Sequence, residues 1–237
     1  FAESGLMTAR RLEAIYDSMK QKTDESGVDP QRLDEIRQTF FVLAGDRWRA
    51  HEAFWKPTGI VFGFPFTPDL QERFASLRSE ILEKIGLSET QYWTPTLDQL
   101  HATVVSYSHY SEAGKNLVSL PEKEVPKAKQ IVAGFQPITV TFEGVLVTTD
   151  GSVLVKGFTD NEDLFGLRDK LQKGISEISQ KPQNSIHVKI AQLLTDIPYE
   201  ISESINRQYE HMPIAKHTFD YVKCANGELL RFSPASE

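Results

Sequence analysis

The sequence predicts a two-lobed fold of the α+β class, preceded by a helical segment. Three observations predict it. A strand-helix-strand order occurs twice, each time closing on a strand with an interior histidine: LHATVVSYS at residues 100–108 and SIHVKIAQLL at 185–194. Asp150-Gly151 and Asn226-Gly227 are dipeptides that favour tight hairpins. Ahead of both units, the first fifty or so residues carry two apolar stripes at helical spacing.

The elements follow in order. Leu12, Ile15, Tyr16 and Met19 fall on one face of a helix from Thr8 to about Lys22. After a polar DESG turn, DPQRLDEIRQTFFVL repeats the pattern, with Asp29 as cap and Pro30 in the first turn. We expect this extension, residues 1–52, to pack on a main domain of residues 53–237. In the first lobe, GIVFGFPF reads as a short buried strand, and TPDLQERFASLRSEILEKIG as a helix with Thr67 as cap, Pro68 at its first position and Gly86 as terminator. The polar bridge LSETQYWTPTLDQ then leads into the first histidine strand.

The lysine-rich stretch from Ser111 to Ala133 reads as a connector with a short helix. In the second lobe, ITVTFEGVLVTTDGSVLVKGF is a strand pair turning at Asp150-Gly151, NEDLFGLRDKLQKGISEI is an amphipathic helix, and SIHVKIAQLL is the second histidine strand. DIPYEISESINRQYEH adds a helix, and HTFDYVKCANGELLRFSP closes the chain as a hairpin.

Bulk properties narrow the partners. The chain has 237 residues, 40% of them hydrophobic and 25% charged, which is enough to bury a core without disulfides or metal. A formal charge of −7 argues against long duplex nucleic acid unless a local basic patch overrides the mean. Cys224 is the only cysteine, so an internal disulfide or a cysteine-rich zinc site is excluded, and a reducing, cytoplasmic setting fits. No apolar run approaches the roughly 20 residues of a membrane span, so the expectation is a soluble monomer with no membrane partner.

Alternation along a strand turns His101, Thr103, Val105 and Tyr107 to one face and Leu100, Ala102 and Val104 to the other. In the second histidine strand, Ser185, His187, Lys189 and Ala191 share a face opposite Ile186, Val188 and Ile190. Two imidazoles on one cleft supply a general base and a general acid near neutral pH. Phosphodiester cleavage uses such a pair directly, without metal or cofactor: one ring takes a proton from water, the other gives one to the departing oxygen, and a nearby hydroxyl or ammonium holds the phosphoryl oxygens.

HATVV from His101 and HVKIA from His187 resemble the paired His-x-Thr/Ser motifs of the 2H phosphoesterase superfamily, which includes RNA-ligase-like and cyclic nucleotide phosphodiesterases. The resemblance runs from about Pro57 to the C-terminus. It implies a bilobal α+β fold, with antiparallel-rich sheets lining a central cleft and helices outside. The lobes would be approximately residues 53–110 and 135–237, mixed by strand exchange. It also implies metal-independent chemistry on a 2',3'-cyclic phosphate or 2',5'-linked phosphodiester of a small nucleotide or RNA end. His101 and His187 would be the catalytic pair, and Thr103 the first phosphate-binding hydroxyl.

The second motif departs from the pattern, because Lys189 stands where Thr or Ser is usual. The ammonium could tighten phosphate binding, alter the substrate class, or mark a lobe that no longer catalyses. Beside His187 it should favour the neutral ring, making His187 the base and His101 the acid. The alternative is a nucleotide- or RNA-end-binding module on the same fold, without turnover.

Tyr107 shares the His101 face in this reading and is the best aromatic substrate contact; Trp93, Phe62 and Phe64 could add to a stacking platform, although core packing is the expected place of the two phenylalanines. Lys156 on the hairpin and Lys170 or Lys173 on the helix could touch a phosphate, with solvated surface positions as the default for exposed lysines. His109 with Ser111 repeats the motif spacing, but the EAGKN that follows is no strand, so it reads as a loop or strand end. His51, His211 and His217 lack the motif's partner and setting, and surface or packing roles are expected of them.

Overall fold

The computed structural model describes residues 2–55, 58–107, 120–160 and 162–234. It is an α+β fold built on one nine-stranded sheet whose recorded strand pairs are all antiparallel.

The N-terminal extension holds α1 (Ala2–Ser26) and α2 (Pro30–Phe40). Asp29 caps α2 by accepting from the Gln31 N–H at 2.9 Å, as the sequence predicts. The helix nevertheless stops at Phe40. FVLA leaves the helical path as β1 (Phe41–Ala44), turns at Gly45, whose φ of 69° suits glycine, and pairs with β2 (Arg47–Ala50). A short α3 (Glu52–Trp55) follows. The predicted second helix was therefore too long, and the reason is tertiary. Extended backbone at Phe41 buries its ring against Phe54 and Trp93, with centroids 4.8 and 5.8 Å away, and an aromatic and β-branched run also favours strand.

The main domain begins with β3 (Gly59–Gly63), α4 (Pro68–Ile85), a two-residue β4 (Tyr92–Trp93) that the sequence did not signal, and β5 (His101–Ser106). Gly86 ends α4 in the left-handed conformation at φ 76°. After α5 (Val125–Val132), β6 (Ile138–Val147) and β7 (Ser152–Thr159) form the expected hairpin. Then come α6 (Asp163–Gly174), β8 (His187–Leu193), α7 (Tyr199–Gln208), β9 (Pro213–Phe219), β10 (Tyr221–Cys224) and β11 (Leu229–Arg231). The start of the closing segment, HTF, belongs to β9 and pairs with β6, so only β10 and β11 form the terminal hairpin.

The strand order is β11-β10-β3-β5-β8-β7-β6-β9, with β4 beside β8. The two histidine strands meet at the middle, where β5 and β8 share a single recorded pair, Ala102 opposite Val188. The terminal hairpin returns to β3 in the first half of the sheet. Helices cross the seam in the same symmetrical sense: α4 packs against β8 and β9 of the second half, while α6 packs against β5 of the first.

Each histidine strand contains one extra residue. Val61 lies opposite Thr103 and Ile60 opposite Val105, which leaves Val104 unpaired; Leu154 lies opposite Lys189 and Val153 opposite Ala191, which leaves Ile190 unpaired. Both bulges fall three residues after a histidine, and each reverses the facing of the strand beyond it.

The N-terminal helices lie on the histidine face of the sheet. Tyr16 of α1 is buried where β7 and β8 separate: its hydroxyl accepts from Gly157 N–H at 3.2 Å and Ile186 N–H at 3.1 Å, satisfying backbone groups just before His187. Burial pushes the Tyr16 phenol up to about 12, so it stays protonated. Among the described residues, no helix is long and apolar enough to cross a membrane.

Candidate active site

Because Ala102 pairs with Val188 in antiparallel register, His101 falls opposite Lys189 and Thr103 opposite His187, all four on the face away from that apolar pair. The imidazoles are diagonal neighbours, which a regular ladder sets about 7–8 Å apart, with Cβ atoms somewhat closer. His101, Thr103, His187 and Lys189 line one cavity of about 180 Å³, walled further by Phe54, Trp55 and Trp93. That is smaller than the roughly 300–1,000 Å³ of a typical small-molecule pocket. It has room for a phosphoester and its immediate substituents.

His101 is oriented by the backbone ahead of it. Its Nδ1 lies 2.8 Å from the Gln99 carbonyl oxygen, which can only accept, so Nδ1 carries the proton and Nε2 remains for proton exchange. Burial lowers its pKa and Lys189 adds to that, while the Gln99 carbonyl opposes both by favouring the charged ring. His187 has no carbonyl of this kind. Its Nδ1 meets the Ser185 hydroxyl at 3.1 Å, and burial, then Lys189, Arg168 and His101, push its pKa down to about 4, against the pull of Asp150. The two rings therefore differ in their partners, a carbonyl for His101 and a hydroxyl for His187, and His187 is held neutral.

Lys189 is fixed rather than loose. Its Nζ donates to Gln192 Oε1 at 3.0 Å and sits 4.6 Å from the centroid of the Phe54 ring. Gln192, fully buried, accepts at the same oxygen from Ser152 Oγ at 3.2 Å and donates to the Asp150 and Leu193 carbonyls. Burial lowers the Lys189 pKa, with Asp150 opposing. For Asp150, burial acts upward but is outweighed by Lys189, Thr148 and Ser152, so its carboxyl ends below its ordinary value.

Arg168 of α6 holds the motifs from beneath. Its Nε donates to the Val104 carbonyl at 2.7 Å, and its Nη2 to the Thr103 carbonyl at 3.1 Å and the Ser185 carbonyl at 2.7 Å. One side chain thus ties the β5 bulge to the entry of β8. Only 3% exposed, it is lowered by burial to a pKa of about 10, which still leaves it charged at neutral pH. Sequence reasoning missed it, although Arg168 interrupts the apolar stripe of Leu164, Leu167 and Leu171. Phe54 and Trp55 were missed as well, because HEAFWKP has no periodicity to flag it.

Of the predicted site residues, the structure gathers His101, Thr103, His187 and Lys189, together with Trp93. Tyr107 is a correction. The Val104 bulge turns it to the opposite face, where it is 2% exposed and lies beside Cys224. The Ile190 bulge does the same to Ala191, and Gln192 takes its place on the site face. Lys156 does stand opposite His187, but its Nζ donates to the Glu210 carbonyl at 2.7 Å, outside the cavity.

The other candidates go elsewhere. Lys170 lies over Phe135, and Lys173 pairs with Asp169 at 2.8 Å on the exposed surface of α6. Phe62 is core, and Phe64 meets the His101 ring edge-on at 5.9 Å. His211 faces Glu143, His217 packs on Phe219, and His51 is exposed. His109 and Ser111 lie outside the described residues.

His187 and Lys189 also wall a second hollow of about 370 Å³ on the β7 side. Among the described residues, no group of three or more His, Cys, Asp or Glu side chains could hold a metal ion.

The site and fold together define an α+β chain with two histidine strands meeting in one cleft. No family model matches the chain, and no curated protein matches it. Among solved structures, the crystal structure of TT0787 of Thermus thermophilus is similar over 63% of this chain and 81% of that one, with 15% identity and a TM-score of 0.38.

Proposed function

We propose that the protein is a metal-independent phosphodiesterase of the 2H type, hydrolysing a cyclic phosphate or 2',5'-type phosphodiester of a small nucleotide or RNA end. The observation that carries this reading is the single cavity lined by His101, Thr103, His187 and Lys189 from two antiparallel strands.

The inequality of the rings divides the work. His187, neutral above about pH 4, takes a proton from the attacking water. The water oxygen bonds to phosphorus as the bond to the leaving oxygen breaks, and His101 protonates that oxygen through Nε2. The Gln99 carbonyl favours the charged form that an acid needs. Thr103, whose hydroxyl makes no hydrogen bond among the described residues, and the Lys189 ammonium hold the nonbridging oxygens where charge develops. Placing the base opposite Thr103 and the acid opposite Lys189 leaves one anion holder beside each ring.

The test is a panel of 2',3'-cyclic nucleotides and 2',5'-linked oligomers incubated with excess EDTA. Turnover that His101→Ala and His187→Ala abolish supports the reading. Tight binding with no product over hours would replace it with the binding module, in which the fixed Lys189 ammonium grips phosphate without catalysis.

A further inference from the structure

The second hollow lies across the His187–Lys189 row, which lines both compartments, and the two differ in chemistry. On the β5 side the walls are Phe54, Trp55 and Trp93. On the β7 side they include Lys22 of α1, Arg32 of α2, Thr148 and Thr149, with Asp150 the one carboxylate. Asp150 is already engaged, accepting from the Thr148 hydroxyl and from the Ser152 N–H at 3.1 Å. Lys22 and Arg32 have no carboxylate within ion-pair distance among the described residues, whereas nearby Lys20 is neutralised by Asp24 at 2.8 Å.

In a chain of net charge −7, two unpaired cations beside a third, Lys189, make a local positive field against the mean. Both come from the N-terminal extension, which the resemblance to phosphoesterases leaves unaccounted for.

We infer that the β7-side hollow is a second anion subsite, built by Lys22 and Arg32, that takes a further phosphate of the substrate. The inference rests on the proposed phosphodiesterase reading and narrows its substrate class. The substrate is a nucleotide or oligonucleotide end with at least two phosphates: the reacting one between His101 and His187, its planar base on the aromatic side, and the other phosphate on the basic side. The extension is then a specificity device. It supplies the two cations to one compartment, while α3, just beyond it, supplies Phe54 and Trp55 to the other.

The test is binding, so that it does not depend on turnover. Calorimetry with the full chain compares adenosine 2'- and 3'-monophosphates with the corresponding 2',5'- and 3',5'-bisphosphates at fixed ionic strength. One charge-assisted phosphate contact corresponds to about a tenfold gain in affinity or more. We expect a bisphosphate to bind at least about tenfold more tightly than its monophosphate, a gap that falls below about twofold in Lys22→Gln/Arg32→Gln while monophosphate affinity is unchanged. Equal affinities in the unmodified protein, a gap that survives the double substitution, or no binding of any of the four would each overturn the subsite. If the gap behaves as expected but no cyclic or 2',5' diester is hydrolysed, the catalytic reading fails and the subsite stands.

Discussion

Ala102 of β5 lies directly opposite Val188 of β8, and this one pair sets the geometry of the site. Both side chains turn into the core, so the residues on either side of each turn outward together. An antiparallel pair centred there sets His101 opposite Lys189 and His187 opposite Thr103 and puts the rings on a diagonal. Arg168 below and Tyr16 at the entry of β8 fix the backbone that carries the arrangement.

The unequal rings fix the pH dependence. The proposed mechanism needs His187 neutral, above about 4, and His101 charged, below a pKa that burial sets under the ordinary 6.5. Under the proposed mechanism the kcat/KM profile should therefore be bell-shaped, with its descending limb below 6.5. Lys189 lowers both rings, so Lys189→Thr should move both limbs toward higher pH. Limbs that stay in place in that variant contradict the assignment of base and acid.

The same shift appears in stability. The folded His187 pKa of about 4 lies below the ordinary 6.5, so between these values the unfolded chain binds a proton that the folded chain does not. The contribution of His187 is complete above about 6.5 and is lost as pH falls toward 4, by up to roughly 3 kcal/mol. Urea unfolding at several pH values should show this slope, and His187→Gln should flatten it. An unchanged slope in the variant would mean that His187 is solvated in the folded state.

Removing Arg168 leaves the carbonyls of Thr103, Val104 and Ser185 without these donors. An unsatisfied buried polar group costs about 1–3 kcal/mol, so Arg168→Met should destabilise the protein by roughly 3 kcal/mol or more. Arg168→Lys keeps one donor and should recover part of it. A denaturant midpoint for Arg168→Met close to the parent value would show that the clamp is unimportant.

Tyr107→Phe should leave kcat/KM within about twofold of the parent, because the β5 bulge takes Tyr107 out of the cleft. Phe54→Ala removes the ring under the Lys189 ammonium and should weaken nucleotide binding by about 1 kcal/mol. Titration of both variants with one nucleotide separates them, and a Tyr107→Phe defect equal to that of Phe54→Ala would restore Tyr107 to the site.

Much of the fold was legible because punctuation and periodicity agreed. Asp29-Pro30, Thr67-Pro68, Gly86 and Asp150-Gly151 all fall at element boundaries in the structure. The gathering of His101, Thr103, His187 and Lys189 followed from alternation, which is reliable near the histidines. It fails three residues later. A bulge is a mismatch between two strands and leaves no mark in either one alone, so Tyr107 and Ala191 were assigned to the wrong face. Phe41 left its helix for partners at Phe54 and Trp93, contacts that local propensity cannot register.

The most direct measurement is hydrolysis of a 2',3'-cyclic nucleotide, with EDTA present, by the parent protein, His101→Ala, His187→Ala and the double variant. A proton relay across one phosphorus predicts that each single substitution lowers kcat by about 10²–10⁴-fold and that the double loses little more, since the two rings act as a unit. A single variant that keeps near-parent kcat, or losses that multiply in the double variant, would contradict it.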